Sequence, residues 1–409
     1  RCSISLTDQS IVPTPGILLL LRRCCCNLRY VVLHCRSVRR KIFQEVCGVG
    51  DTMLERRTYP LLAVVLTATF VCVSVWRMSG GCPGPPYCVP EPPPAPSYLL
   101  LDPSNVTLVP DPFDLSVLDL GDETSLIDLH NFTFHMNDPV CNSSSPPLFV
   151  VIVHSAPGHE YHRRAIRNTW GRSVHLVFLV GETNSTGVQE SLERENDEHH
   201  DMVQGSFLDS YRNLTYKHVL GLKWVTYHCS GAKYVLKTDD DVFVNTPFLE
   251  EFLTRELSPL GARKLVLCDV LYSAIVKRSY RSKWRVSHRE FADRWYPDYC
   301  TGWAILYSPD AVFRLYREAQ RSEYFWIDDV HITGTLLSRI NYTHTSVGAL
   351  GIQEPRTIKM IQKGELEDFL FSLLPPSYFS ELWNLVNSRS RVPKTSPSVQ
   401  PRSRSWMSR

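Results

Sequence analysis

The first sustained apolar pattern is "LLAVVLTATFVCVSVW", Leu61–Trp76, sixteen residues without a charge. As a helix it spans roughly 24 Å at about 1.5 Å per residue. That is short of a ~30 Å hydrocarbon core, but Tyr59 and Trp76 would sit at the interfaces and thinner internal membranes would help. "ERR", Glu55–Arg57, precedes it, and positive flanks stay cytosolic. The pattern predicts a signal-anchor over 58–77 with everything after it outside the cytosol. A cleaved signal peptide is the alternative. "GGCPGPPYCVPEPPPAPS", Gly80–Ser97, reads as an extended spacer, and 78–146 as a stem of low periodicity.

Beyond residue 147 the pattern changes. "LFVVIV" (148–153), "HLVFLVG" (175–181), "KYVLKTDDD" (233–241), "KLVLCDVL" (264–271) and "GWAILYS" (302–308) are runs of buried-strand type. Between them, "RRAIRNTWG" (163–171), "LTYKHVLGLKWVTYHC" (214–229) and "SPDAVFRLYREA" (308–319) have helical spacing. Gly171 is expected to stop the first, and Ser308 and Pro309 to start the third. "LERENDEHHDMV" (192–203) reads as a solvated helix or loop. Alternating strands and helices predict an α/β domain over 147–390 with a mostly parallel sheet. The polar, basic tail 391–409 is expected to be disordered.

Charge adds topology. The chain carries 43% hydrophobic and 21% charged residues with a net charge of +2, which argues against a nucleic-acid partner. Residues 1–52 hold eight Lys/Arg against three Asp/Glu and six of the thirteen Cys, and the first Met is Met53. The segment 1–57 is read as a cytosolic N-terminus, and 1–52 as a translated upstream segment or unusual extension; native peptides from before Met53 would overturn the latter. Six N-x-[S/T] triplets begin at Asn105, Asn131, Asn142, Asn184, Asn213 and Asn341, all after the apolar segment. That one-sided set agrees with a lumenal or extracellular domain, where disulfides are allowed. The later cysteines are too widely spaced for a zinc pattern.

Chemistry concentrates in "KTDDDVFVN", Lys237–Asn245. Adjacent carboxylates repel unless a cation or donor compensates. In an extended segment Asp239 and Asp241 point one way and Asp240 the other. A hard divalent ion suits such an oxygen pair, bridging protein to a diphosphate. The run ends a predicted strand, where ligands of open α/β sheets bind. A plain acidic turn is the competing reading, and there is no GxGxxG or Walker loop. A calcium module would need further loop oxygens, and none follows.

In order, "RRAIRNTWG", "FLDSYRNLTYK", "KYVLKTDDDVFVN", "YPDYCTGWAILYS" and "WIDDVHITG" resemble the β-1,3-galactosyltransferase family of Golgi glycosyltransferases, which also holds β-1,3-N-acetylglucosaminyltransferases. The resemblance runs from about Leu148 to Gly351. It implies a GT-A type nucleotide-sugar fold behind a single transmembrane helix, a type II Golgi enzyme with a lumenal catalytic domain, and inversion at the transferred sugar. By resemblance Asp239 and Asp241 would hold Mn²⁺ against the UDP diphosphate, and Asp329 would be the base. Asp328, where relatives often have Glu, would contact sugar hydroxyls; a dipole-favoured acidic helix start is the other reading of the pair. Arg167, Asp209, Lys217, Asp240 and Gly302 would contact the donor, whereas Arg163 suits a solvated basic face. His331 or His344 could add a metal ligand. Trp303 is bulky where relatives carry a small residue, which bears on donor-sugar choice. A disulfide Cys229–Cys300 is expected. The substrates implied are UDP-galactose, with UDP-N-acetylglucosamine as alternative, and a glycan acceptor on glycoprotein or glycolipid. An inactive lumenal carbohydrate-binding protein is the non-enzymatic alternative. "KRSYRSKWRVSHREFADRW", 277–295, would serve the acceptor or be an ordinary surface loop.

Overall fold

The computed structural model describes residues 98–102, 113–141 and 145–390. The expected anchor at 58–77, the N-terminus 1–57, the tail 391–409, and Asn105 and Asn142 lie outside the described residues. Among the described residues no helix is long and apolar enough to cross a membrane.

The strands of the main sheet are β1 (Phe134–Asn137), β2 (Phe149–His154), β3 (His175–Glu182), β4 (Met202–Leu208) and β5 (Tyr234–Asp239), followed by β7 (Val266–Leu271), β8 (Tyr299–Tyr307) and β9 (Thr345–Ser346). β6 (Val242–Val244), β10 (Gly351–Gln353) and β11 (Phe371–Leu373) form a small sheet beside it. The eight-stranded order is β9-β7-β8-β5-β2-β3-β4-β1. The pairs β2–β3, β3–β4, β2–β5 and β7–β9 are parallel. β8 runs against both β5 and β7, and β1 against β4. The mostly parallel expectation therefore holds for the centre and fails beside β5 and at the β1 edge.

β2 is buried along its whole length because both faces of the sheet are covered. Val150 and Ile152 belong to one core; Phe149, Val151 and Val153 belong to the other. Each such fully buried aliphatic contributes roughly 1.5–3 kcal/mol. One layer holds α1 (Glu160–Asn168), and its core includes Ile166 and Trp170. The other holds α3 (Leu214–His228) packed on α5 (Pro309–Gln320); α4 (Thr246–Arg255) lies between them in sequence. At Gly221 of α3 a Cβ would lie 2.6 Å from Leu179 and 2.8 Å from Ile152, so glycine lets this helix lie close on the sheet.

Several expectations need correction. Gly171 does not stop α1; the helix closes at Thr169 and a 3-10 turn follows over Trp170–Ser173. The segment 192–203 divides between α2 (Thr186–His199) and the start of β4, a buried strand whose pattern the acidic helix before it obscured. Ser308 does stand before α5, but its hydroxyl accepts from the Leu265 amide, 3.0 Å away, rather than capping the helix.

The stem reading fails for residues 113–141. Phe113, Leu126, Ile127 and Phe132 are buried in the α3 core. Lys223 of α3 is buried and donates to the carbonyls of Asp122 and Ser125 and to the Tyr316 hydroxyl. Burial lowers this ammonium to about 8, and Asp122 opposes the shift. These polar anchors bind a segment with too little periodicity to announce itself.

The expected Cys229–Cys300 bridge is not formed. Cys229 at the end of α3 pairs with Cys141, and Cys300 of β8 pairs with Cys268 of the neighbouring β7, at Cα separations of 5.4 and 5.6 Å. Strand pairing sets Cys300 opposite Val270, two residues from Cys268, across an irregularity in the β7–β8 ladder. Cys141 reaches Cys229 because the chain before β2 packs on the domain.

Candidate active site

At the end of β5, alternate residues Lys237 and Asp239 project together. Lys237 is fully buried; its Nζ lies 2.6 Å from Asp239 Oδ1 and also donates to the Gly302 carbonyl. Burial alone would lower Lys237, but Asp239 and Asp328 hold its proton and it ends above its ordinary value. Burial raises Asp239 in spite of Lys237. Desolvation in the cleft walls, with the charges of Asp239 and Asp240, pushes Asp241 up to about 6, although its side chain is exposed.

Asp240 does not continue the strand but forms, with Asp241, the turn between β5 and β6. Its carboxylate accepts from the Ser155 hydroxyl at 2.7 Å and lies 2.8 Å from His159 Nδ1 and 3.0 Å from His162 Nδ1. Burial pushes Asp240 up, but these three partners outweigh it and hold the group below the carboxylate range. Sequence reading missed all three, although His159 and His162 stand one helical turn apart, the spacing that puts two side chains on one face.

The second acidic pair precedes a π-helix, Val330–Leu336. Asp329 caps it, accepting from the Val330 amide at 2.8 Å. Burial and the neighbouring Asp328 push Asp329 up to about 7. Asp328 is buried 3.0 Å from His218 Nδ1, and His218 Nε2 lies 3.2 Å from the Tyr307 hydroxyl. Burial raises Asp328, yet His218 and Lys237 bring it below its ordinary value. A Cβ at Gly302 would lie 3.4 Å from the Asp329 Cβ and 3.8 Å from Lys237 Nζ. β8 thus brings the two acidic pairs around one buried lysine. "KTD" carried that signal, since residues i and i+2 of a strand share a face.

A cavity of about 480 Å³ opens beside Asp328, Asp329 and Gly302. Tyr211, Trp284, Tyr296 and Trp326 supply aromatic walls, and Lys277 also lines it. Trp284 Nε1 donates to the Tyr211 hydroxyl at 2.7 Å, tying the 277–295 loop to the turn before α3. Trp303 does not enter; it is buried against Phe371 and Gly351. Its bulk therefore faces the core.

Several of the expected donor-contact residues already have protein partners. Arg167 is held by Asp201 at 2.8 Å and Glu195 at 2.6 Å. Arg163 is fully buried rather than solvated, bonded to Glu195, Ser155 and the carbonyls of Ala156 and Pro157. Lys217 is buried against Asp209 at 2.8 Å and the Ser155 carbonyl. Asp209 also accepts from the Gly181 amide at 2.7 Å. Asp328 lines the cavity and is also braced by His218 Nδ1 at 3.0 Å. Asn131, Asn184 and Asn341 are exposed, whereas Asn213 is half-buried with its amide donating to the Leu208 carbonyl at 2.8 Å.

Among the described residues, His159, His162 and Asp240 are a group of three side chains whose spacing could hold a metal ion, with ligand atoms all within 4.8 Å. His344 Nε2 instead lies 2.7 Å from the Thr333 carbonyl, and His331 Nε2 is buried without a hydrogen-bond partner. Neither joins the aspartates.

Comparison with known proteins places this arrangement. The galactosyltransferase family profile matches residues 161–347. Beta-1,3-galactosyltransferase 1 of Homo sapiens is 32% identical over 217 residues, 51% of this chain and 66% of that protein. Beta-1,3-galactosyltransferase 5 of Pan paniscus is 31% identical over 237 residues, 56% of this chain and 77% of that protein. A solved glycosyltransferase involved in glycosylation of the major capsid of PBCV-1 aligns at 12% identity over 58% of this chain and all of its own. Its TM-score is 0.31. The chain spans 66% of the first of these relatives and more than three quarters of the second, and on that match it belongs to the galactosyltransferase family.

Proposed function

We propose that this chain is an inverting β-1,3-galactosyltransferase of GT-A type that moves galactose from UDP-galactose to a glycan acceptor on glycoprotein or glycolipid. The observation that carries the reading is Asp329. It is a carboxyl raised to about 7, beside Gly302, on the wall of an aromatic cavity. A base poised near working pH suits removal of a proton from a sugar hydroxyl. Asp329 takes that proton, the hydroxyl oxygen attacks the anomeric carbon, and the bond to the diphosphate breaks on the opposite face. Aromatic walls suit the apolar faces of sugars, and Lys237 steadies the acidic pairs without leaving its buried position.

Asp239 and Asp241 suit a hard divalent ion, because both are carboxylates that burial raises above their ordinary values, Asp241 further by the charges of Asp239 and Asp240 and Asp239 in spite of Lys237. Mn²⁺ there would supply charge to the departing diphosphate. The anchor at 58–77, a lumenal catalytic domain and Golgi residence belong to the same proposal, supported by the apolar run, its basic flank and the one-sided glycosylation triplets.

The full chain with Mn²⁺ is expected to transfer from UDP-galactose to a mixed panel of glycan acceptors. Preferential use of UDP-N-acetylglucosamine would move the donor assignment. Donor binding without transfer to any acceptor would favour the carbohydrate-binding alternative. In Asp241→Ala, calorimetry is expected to show Mn²⁺-dependent UDP binding weakened by at least ~100-fold, in the range seen when a charge-compensated site loses its charge. Unchanged binding would refute the metal assignment.

A further inference from the structure

We propose a second cation site, at His159, His162 and Asp240, that binds a borderline transition ion of the Zn²⁺ class. Its three ligand atoms already lie within 4.8 Å of one another. His159 and His162 occupy the same face of the first helical turn, with rings 4.5 Å apart, and each directs Nδ1 at a different oxygen of Asp240. Two imidazoles and a carboxylate suit Zn²⁺, which takes nitrogen and oxygen ligands, and disfavour Mg²⁺, which prefers oxygen alone. Asp239 and Asp241 offer carboxylate oxygen only.

The surroundings favour an ion. Asp240 is braced by the Ser155 hydroxyl, which is held in turn by buried Arg163 at 3.1 Å. Outer partners of this kind orient metal ligands. The nearby cations are neutralised, Arg163 by Glu195 and Lys217 by Asp209. The site therefore keeps the charge of Asp240 for its ligand. His159 is half exposed, which leaves a path of entry. An ion here would fix the turn that presents Asp239 and Asp241.

The test is Zn²⁺ binding by the full chain against a chromophoric chelator, without donor or acceptor, so it stands apart from the transferase reading. Wild type is expected to bind one equivalent more than the His159→Ala/His162→Ala double variant. Each single variant should weaken that equivalent by more than ~100-fold, beyond the loss typical of outer-shell changes. Millimolar Mg²⁺ should not displace it. Equal stoichiometry in wild type and double variant, or displacement by Mg²⁺, overturns the proposal. X-ray absorption on wild type loaded with one equivalent guards against misfolded variants. Nitrogen and oxygen ligands with imidazole scattering are expected, and a sulfur shell would place the ion on cysteines instead.

Discussion

Asp329→Asn is expected to lower the turnover number by about 10²–10⁴-fold, the contribution of a positioned general base, and to leave UDP binding in place. The amide keeps the oxygen that accepts from the Val330 amide, so the start of the π-helix is retained. What it loses is a proton acceptor. In the wild type, burial and Asp328 raise this carboxyl to about 7, so the base form fills only as pH rises through that value. Transfer by the wild type should fall roughly tenfold per pH unit below about 7, and the residual rate of the variant should lack that limb. The stability sign is opposite. A carboxyl raised in the folded state binds its proton more tightly than in the unfolded chain. The stability drawn from it is full below the ordinary value of 3.8 and is lost as pH rises toward 7. Asp329→Asn should therefore unfold no earlier than wild type at pH 8. A variant that keeps both its rate and its acid limb would remove Asp329 from the chemistry; one that loses rate by unfolding early would leave a structural role only.

Arg163→Met is expected to destabilise the domain by about 3–5 kcal/mol, the cost of removing one partner from a buried ion pair. Arg163 is 0% exposed and forks onto Glu195 with bonds of 2.8 and 2.6 Å. The same guanidinium holds the Ser155 hydroxyl and the carbonyls of Ala156 and Pro157. Methionine fills much of the volume but satisfies none of these acceptors, and leaves the buried Glu195 with Arg167 alone. Lysine should restore little, since an ammonium cannot reproduce the fork. Arg167→Met should cost less, because Arg167 is partly exposed and Glu195 would retain Arg163. Urea unfolding of the three variants gives the order. Equal losses for Arg163 and Arg167 would show that the loop contacts contribute nothing beyond the shared pair.

Local elements were legible where one short pattern decided them. The five apolar runs became strands because residues buried on both faces must be apolar at every position, and β2 is such a run. β4 escaped because an acidic helix abuts it and blurs the boundary. The DDD run announced itself as crowded charge at a strand end. Lys237 went unremarked in the same string, although a charge sharing a face with Asp239 was its natural complement. The resemblance of "WIDDVHITG" to a known family singled out Asp329 among acidic residues that local pattern could not rank.

By itself the sequence determined five of the strands and the three periodic helices, where carboxylates crowd, and, through the resemblance of its motifs, that the chain carries a galactosyltransferase domain. These follow from periodicity and from short motifs, which are properties of neighbours along the chain. Only the tertiary structure decided the pairing of Cys141 with Cys229 and of Cys268 with Cys300, because sheet order and packing choose among distant thiols. It also buried Arg163 and Lys223, drew residues 113–141 onto the domain, and turned Asp240 toward two histidines 78 and 81 positions away. Such contacts join residues far apart in sequence, and no local pattern records which distant partner will neutralise a buried charge.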